Sequence, residues 1–149
     1  MDTAPRPYVR PGFVMARIVN PIVEHLGGTL VLVVAGRTTG EPRPVPLGRP
    51  FAFQGARYLV SGRGETHWAR NLRAAQRAEL RVHGRTEAFR PVELTGAERE
   101  RVVGAYRVKH GRAVQAMFRR IPDAADHPVF RIDPVPPEDA TGSAGAATT

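Results

Sequence analysis

The chain has 149 residues, enough for one domain with its own hydrophobic core, and a formal net charge of +8. It contains no cysteine, which excludes disulfides, thiolate metal sites and a cysteine nucleophile. No apolar run is long enough to cross a bilayer and no stretch has the pattern of a signal peptide, so we expect a cytoplasmic protein.

The positive charge is concentrated in the middle of the chain. Residues 37–90 contain eleven arginines and four glutamates, whereas residues 121–149 contain one arginine and five acids. Arginine presents a planar fork that suits phosphate and carboxylate groups. Codon bias accounts for the excess of arginine over lysine, but the clustering favours an anionic ligand or partner.

The first part of the chain predicts a flexible start and a helix. Residues 1–10 are polar and contain several prolines, and we expect them to be mobile. Apolar residues recur at helical spacing over residues 12–26, in a helix that Pro21 should kink and Gly27 should end. This helix packs on the domain as a lid or lies on a membrane surface, so peripheral membrane contact is an open alternative.

Short strands follow, with glycines at the hairpin turns and helices inserted between them. We expect strands at about 29–36, 43–53 (broken near residues 48–50), 56–62, 78–83, 86–94 and 129–132. A short helix is predicted at about 66–76. A capping box of Thr95 and Glu98 opens a longer helix, which breaks at Gly111 and resumes to Arg120. Residues 11–133 form one predicted domain, and residues 134–149 a tail too poor in apolar residues to fold.

These elements predict an α+β fold, a small barrel of about six mostly antiparallel strands with inserted helices. Within it, residues 36–47 are the most informative segment, because a turn rich in arginine and threonine leads into a strand with Pro44 and Pro46 at alternate positions. Proline donates no hydrogen bond to a sheet, so only Arg43, Val45 and Leu47 can pair with the preceding strand. The other edge is left unpaired beside a cationic turn, and this edge is the predicted ligand site.

A second motif, residues 61–64, carries a strand through two glycines into the start of the short helix. Free N–H groups and the helix dipole make such a place a natural anion site, to which Arg63 adds a cation. In a simple meander the two motifs would end neighbouring strands and form one site. Trp68, in the first turn of the helix, is either a core residue or a stacking partner for a planar ring, and Asn71 either a surface residue or a directed hydrogen-bonding group.

Other kinds of site find no support in the sequence. The five histidines share no metal-ligand spacing, so no metal site is predicted. The chain has only two serines and no nucleophile elbow, and it has neither a Walker loop nor a dinucleotide fingerprint.

Residues 36–47, 58–64 and 68–74, in this order and spacing, resemble the deazaflavin-dependent nitroreductase family, in a match that covers roughly residues 28–133. The family uses coenzyme F420 on a split β-barrel of the flavin-reductase and pyridoxamine-phosphate-oxidase type. It transfers a hydride from the reduced cofactor to a quinone, a nitroaromatic compound or an activated alkene. The resemblance therefore implies an F420-dependent reductase whose partner is a small-molecule electron acceptor.

The resemblance also implies the cofactor-binding residues, although it assigns no catalytic residue. The anionic tail would be held by Arg37, Thr38 and Thr39, and the ring would lie along Arg43, Pro44, Val45, Pro46 and Leu47. The phosphate and the far side of the ring would contact Ser61, Gly62 and Arg63. The segment that would close over the cofactor contains His67, Trp68, Arg70 and Asn71.

The chain departs from the family pattern in three places that bear on the substrate. Around Gly62 and Arg63, the lysine or asparagine that is familiar in the family before the glycines is replaced. The loop before the short helix is reduced to residues 64–66, and Ala69 stands where many relatives have a tyrosine. The family's substrate-pocket tyrosines therefore have no certain counterpart, and Tyr106 is the candidate.

Two other functions stay open at this stage. An ordinary flavin mononucleotide (FMN) barrel is the first, although a single phosphate needs fewer cations. A basic nucleic-acid-binding barrel is the second, but aromatics form only 7% of the chain and most fall at expected core positions, so no nucleic acid partner is expected. The sequence leaves the oligomeric state open between monomer and homodimer.

Overall fold

A computed structural model describes residues 30–136, which form seven strands, three α-helices and one 3₁₀ turn. The predicted flexible start at residues 1–10, the predicted N-terminal helix and most of the predicted tail lie outside the described residues. The strands are β1 (Leu30–Ala35), β2 (Pro42–Leu47), β3 (Phe51–Phe53), β4 (Ala56–Val60), β5 (Ala78–Val82), β6 (Arg85–Glu93) and β7 (Val129–Pro134). The helices are α1 (His67–Ala75), α2 (Gly96–His110) and α3 (Arg112–Arg120), and the 3₁₀ turn is Ala124–Asp126.

All seven strands belong to one antiparallel sheet, in the order β2-β1-β5-β6-β7-β4-β3. Its two edge strands, β2 and β3, are consecutive in sequence and are joined only by residues 48–50. A flat sheet of this size would hold its edges about 29 Å apart, but the link reaches at most about 14 Å. The sheet must therefore curl into a half-barrel, which confirms the predicted split-barrel fold.

Two hydrophobic clusters cover the two faces of the sheet. The first packs beneath α1 and includes Leu32, Leu72, Phe89 and Phe130, all of which are fully buried or nearly so. The second lies on the other face, where α2 and α3 cover β4 and β7, because successive residues of a strand point to opposite faces. Its members are Phe51, Tyr58, Leu94, Val102, Val103, Val114, Phe118 and Val129.

The helix boundaries agree with the sequence prediction except at one cap. Gly111 separates α2 from α3 with a φ of +47°, as expected for a glycine break. Thr95 is the N-cap of α2, but its side chain makes no capping hydrogen bond, so the predicted capping box is wrong. The chain enters the helix through Gly96 at a φ of +58°, which is not the helical backbone that a capping box requires.

The strand boundaries differ in one respect that matters for the site. The segment predicted as one broken strand, residues 43–53, forms two strands at opposite edges of the sheet. The sheet therefore has seven strands where about six were expected. Among the helices of residues 30–136, none has the length and apolar character needed to cross a bilayer.

Candidate functional site

The turn between β1 and β2 is closed by its own backbone. The N–H of Gly36 donates to the carbonyl of Glu41 at 2.8 Å, and the N–H of Gly40 donates to the carbonyl of Gly36 at 2.8 Å. Thr38 and Thr39 are exposed at the tip. The Thr39 hydroxyl accepts the Glu41 N–H at 3.2 Å, so the Thr38 hydroxyl is the freer of the two to meet a ligand.

Arg37 is fixed at this turn by residues of α1. Its backbone N–H and its Nη1 both donate to Oδ1 of Asn71, at 3.0 Å and 2.8 Å. Its Nη2 lies 3.2 Å from Nδ1 of His67, which accepts because a guanidinium can only donate. Asn71 is buried, and it is therefore a directed hydrogen-bonding group and not a surface residue.

The 36–47 segment and the 61–64 loop come together, but not through neighbouring strands as the sequence predicted. The strands that carry them, β1 and β4, are separated in the sheet by β5, β6 and β7, so the expected neighbouring strands of a meander are wrong. The helix α1, which follows β4, packs back across the sheet onto β1. Its first turn thereby reaches the 36–41 turn and brings the two motifs together.

The 61–64 loop is built around a buried serine. The Ser61 hydroxyl donates to the carbonyl of Gly64 at 2.5 Å and lies 3.1 Å from the hydroxyl of Thr66. Thr66 is the N-cap of α1 and accepts the N–H of Ala69 at 3.3 Å. The Ser61 side chain thus shapes the loop and the helix start, while Gly62 is half-buried and Arg63 is exposed.

Acidic side chains near this loop are already bound to an arginine. Arg73 binds Glu93, with its Nε 2.7 Å from Oε1, and also binds Glu65, with its Nη2 2.9 Å from Oε2. The hydrogen bond from Arg73 lowers the pKa of Glu65 below its ordinary value, so this carboxylate is ionised at neutral pH. Arg70 lies 3.9 Å from the same carboxylate, which is a weak second contact.

Among the described residues, three arginines of the site keep their charge uncompensated. Within residues 30–136, no carboxylate forms an ion pair with Arg37, Arg43 or Arg63. The side chain of Arg43 lies across Gly36, where an added Cβ would be 3.1 Å from its Nε. This part of the surface, formed by the 36–41 turn and the start of α1 and called the cationic groove below, is therefore a place where an anion would meet cations that no described carboxylate binds.

An aromatic cleft lies at the other end of β2. It has a volume of about 90 Å³, is open to solvent, and is lined by Leu47, Gly48, Arg49, Phe51, Tyr58, Leu59, Val60, Trp68 and Tyr106. Trp68 is half-buried, with its ring centroid 6.4 Å from that of Phe130. It therefore serves both as a core residue and as a wall of the cleft.

Strand β2 connects the cationic groove to the aromatic cleft. Its register places Arg43 opposite Val34 and Leu47 opposite Leu30, so the strand begins beside the turn and ends at the cleft. The other edge of β2 pairs with no strand of residues 30–136, as predicted. Pro44 and Pro46 direct their carbonyls to that edge and have no N–H to offer a further strand. Along its length of about 17 Å, the strand can lie beside an elongated ligand.

Several cleft residues were missed or only suspected in the sequence. Tyr106 was a candidate, and the structure places it in the cleft, 5.5 Å from the ring of Phe51 and edge-on to it. Burial raises the pKa of its phenol above the ordinary value. Tyr58 and Arg49 were not expected there, because only the curl of the sheet brings β4 and the 48–50 link beside α1.

The curled antiparallel sheet makes this protein a split barrel, in which the edge strand β2 runs from the cationic groove to the aromatic cleft. The sequence profile of the F420H(2)-dependent quinone reductase family matches residues 12–120. The chain belongs to this family, so it is an oxidoreductase that uses coenzyme F420. A search of curated protein sequences finds no match.

Solved structures share the fold at low sequence identity. A chain described as the F420-H2 dependent reductase FDR-A aligns with a TM-score of 0.54 and 21% identity, over 71% of this chain and 94% of its own. A chain described as a domain-swapped dimer aligns with a TM-score of 0.51 and 20% identity, over 79% and 96%. The heme storage protein HutZ from Vibrio cholerae aligns with a TM-score of 0.53 and 14% identity, over 85% and 92%.

The residues of the site fit the chemistry of the F420 cofactor. Its tail carries a phosphate and several glutamates, and the groove offers N–H groups at the start of α1 together with three arginines, Arg37, Arg43 and Arg63, that have no carboxylate partner within residues 30–136. Its ring is flat, and the cleft offers Leu47 and the rings of Trp68 and Tyr106. Within residues 30–136, no group of three potential metal ligands comes together.

Proposed function

We propose that this protein transfers a hydride from reduced F420 to a quinone, and that nitroaromatic compounds and activated alkenes are further acceptors. The family profile supports the quinone, while the wider acceptor range follows from the sequence resemblance. The observation that carries the proposal is the double hydrogen bond from Arg37 to Asn71, which holds an unneutralised guanidinium over the start of α1.

The anionic tail of the cofactor binds, in this proposal, in the cationic groove. Arg37 is held in place before a ligand arrives, so little side-chain entropy is lost when it binds a carboxylate or phosphate. The other groups that bind the tail in this proposal are Arg43, Arg63, the Thr38 hydroxyl and the first N–H groups of α1. His67 and Asn71 act on the tail through Arg37, and Arg70 is partly engaged with Glu65.

The ring of the cofactor lies, in this proposal, along the free edge of β2 and reaches the aromatic cleft. The bound cofactor supplies the hydride, and the protein supplies position and shelter from water. The acceptor approaches from the side of Tyr106. Because burial raises the pKa of this phenol, its hydroxyl stays protonated at neutral pH and can donate a hydrogen bond to a quinone oxygen.

The structure gives little support to a nucleic-acid-binding function. Binding of single strands uses exposed aromatic side chains on which bases stack. None of the aromatic side chains of residues 30–136 is fully exposed: Phe51, Tyr58, Phe89, Phe118 and Phe130 are buried, and Phe53, Trp68 and Tyr106 are half-buried. The cations of the groove therefore serve a small anionic ligand better than a polynucleotide.

The test compares Arg37→Ala with the wild type. Arg37 is proposed to bind the tail equally in the ground and transition states, so its loss should weaken F420 binding about tenfold or more while kcat with a quinone changes little. Arg85→Ala is the matched control, because Arg85 is an exposed arginine at the other end of the β1 and β5 pair. An unchanged F420 affinity in Arg37→Ala would show that the groove does not hold the tail.

The same titration separates F420 from FMN. We expect F420 to bind more tightly than FMN, because a single phosphate engages fewer of the arginines. Steady-state assays with a quinone, a nitroaromatic compound and an activated alkene then measure the acceptor range, and absence of quinone turnover would contradict the proposal.

A further inference from the structure

The last turn of α2 gathers around Phe51, one of the residues that line the aromatic cleft. The ring of Tyr106 lies edge-on to that of Phe51, with the centroids 5.5 Å apart. The ring of His110 lies 6.2 Å from that of Phe51 and 4.4 Å from that of Tyr106. Because residues three and four positions apart share one face of a helix, Tyr106, Lys109 and His110 form one edge of the cleft.

Two cations lie at the cleft and are called the edge cations below. The Nζ atom of Lys109 lies 5.8 Å from the centroid of the Phe51 ring, within the range of a cation–π contact. Arg49 lines the cleft from the other side of the chain, on the link between β2 and β3. Both side chains are exposed, and no carboxylate of residues 30–136 forms an ion pair with either.

The part of α2 that borders the cleft carries no negative charge. The two glutamates of α2, Glu98 and Glu100, lie in its first two turns, and residues 101–120 contain no acid. A cation in the last turn of a helix also complements the helix dipole, which accounts for part of the role of Lys109. Arg49 lies outside any helix and has no such role. An anionic group on a ligand in the cleft therefore meets two cations and no acid of this helix.

The edge cations are separate from the arginines of the cationic groove. Strand β2 begins beside the 36–41 turn and ends at the cleft, and it spans about 17 Å between them. In the proposed function, the cofactor tail occupies the groove and the acceptor approaches from the side of Tyr106. The cations nearest to the acceptor are then Lys109 and Arg49, which the cofactor tail leaves unused.

We propose that Lys109 and Arg49 determine acceptor specificity by binding an anionic substituent, such as a sulfonate or carboxylate, on a planar aromatic acceptor whose ring enters the cleft. This inference rests on the proposed function for the position of the acceptor. The substituent adds binding and takes no part in the hydride transfer. Since such binding is equal in the ground and transition states, the preference for an anionic acceptor is expressed in KM and not in kcat.

The direct test measures binding to the cofactor-free protein. Trp68 is the only tryptophan of the chain and lines the cleft, so its fluorescence reports a ligand there. The probes are naphthalene sulfonate and the neutral naphthalene sulfonamide. We expect the wild type to bind the sulfonate about tenfold more tightly, from about threefold for each cation, and the double variant Lys109→Gln/Arg49→Gln to bind the two probes equally.

Equal affinity of the wild type for the two probes would overturn the proposal, as would a sulfonate preference that survives in the double variant. This measurement needs neither F420 nor turnover. It can therefore fail while the proposed function stands, and it can succeed if quinone turnover is absent.

The second test compares a naphthoquinone with its sulfonated form as acceptors, in the wild type, Lys109→Gln and Arg49→Gln. The effect of the sulfonate on intrinsic reactivity is the same for every protein, so it cancels when the ratios of kcat/KM are compared. We expect each variant to lower the preference for the sulfonated acceptor about threefold, through KM. Arg107→Gln is the matched control, because Arg107 shares the last turn of α2 but lies over the ring of Phe118, 4.6 Å from its centroid. A ratio that falls equally in Arg107→Gln would contradict the proposal.

The affinity for F420 separates the acceptor from the cofactor as the source of the anion. Lys109 is exposed at the edge of the cleft and does not line it, so Lys109→Gln should bind F420 as the wild type does. A loss of F420 affinity of about threefold or more in Lys109→Gln would assign this cation to the cofactor tail and overturn the proposal.

Discussion

Replacement of Asn71 by alanine is expected to damage both the stability of the fold and the cationic groove. The single oxygen Oδ1 of Asn71 accepts both hydrogen bonds that fix Arg37. In Asn71→Ala, the partly buried N–H of Arg37 loses its acceptor and the guanidinium loses its anchor. Because the side chain is only 6% exposed, solvent has little access to replace the lost oxygen.

The size of the effect follows from the unsatisfied donor. A buried N–H without a partner costs about 1–3 kcal/mol, so we expect the free energy of unfolding to decrease by about 2 kcal/mol. For a chain of this length, that decrease corresponds to a fall in Tm of about 4–8 °C. The assay is calorimetry or circular dichroism of the cofactor-free protein.

Asn71→Asp is the control that separates the two consequences. A carboxylate oxygen can still accept both hydrogen bonds, so the Tm should stay close to that of the wild type. The added negative charge neutralises Arg37, however, and should weaken F420 binding as much as Asn71→Ala does. If alanine left the Tm unchanged, or if aspartate were as unstable as alanine, the role of Oδ1 as the acceptor that holds the turn would be wrong.

Two further outcomes follow from backbone geometry and burial. Gly64→Ala should lower the free energy of unfolding by about 1–2 kcal/mol in urea titrations, because Gly64 has a φ of +89° and its Cβ would lie 3.1 Å from Ile121. By contrast, the Cβ added in Gly104→Ala, in α2, would meet nothing within 4 Å, and this substitution should raise the free energy of unfolding by about 0.5–1 kcal/mol. Equal effects of the two substitutions would refute the steric argument. Burial raises the pKa of Tyr106, so its phenol should ionise above 10.0 in an absorbance titration, and Tyr106→Phe should remove that step. The native state keeps this proton to a higher pH than the unfolded state does, so the stability of the wild type decreases as the pH rises through the phenol's native-state pKa. If Tyr106→Phe had the same alkaline stability profile as the wild type, the placement of Tyr106 would be contradicted.

The features that the sequence predicted well are those that depend on local chemistry. Alternating prolines identified β2 as an edge strand, because a residue without an N–H cannot pair on that side. Gly111 marked the break between α2 and α3 for a similarly local reason. The resemblance to the F420 family used the same segments, and the family profile confirms it.

The features that the sequence did not reveal depend on the closure of the sheet. The strand order, with β7 beside β4 and β6, follows from packing between distant segments, and no local pattern encodes it. As a result, the cleft residues Tyr58 and Arg49 were missed. The two motifs also meet through α1 and not through neighbouring strands.

His127 illustrates a second limit of the sequence. An isolated histidine before a strand carries no spacing signal, and in the sequence it only helped to exclude a metal site. In the structure, its two ring nitrogens lie against the carbonyl oxygens of Ser61 and Ile121, which the fold brings to either side of the ring.

The most direct test of the site is a binding cycle with two ligands and two proteins. The ligands are F420 and a deazaflavin that lacks the phosphate and glutamate tail, and the proteins are the wild type and Arg37→Ala. We expect Arg37→Ala to weaken F420 binding about tenfold or more and to leave binding of the tail-less deazaflavin unchanged. An equal loss for both ligands, or no loss for either, would contradict the assignment of the tail to the cationic groove and of the ring to the aromatic cleft.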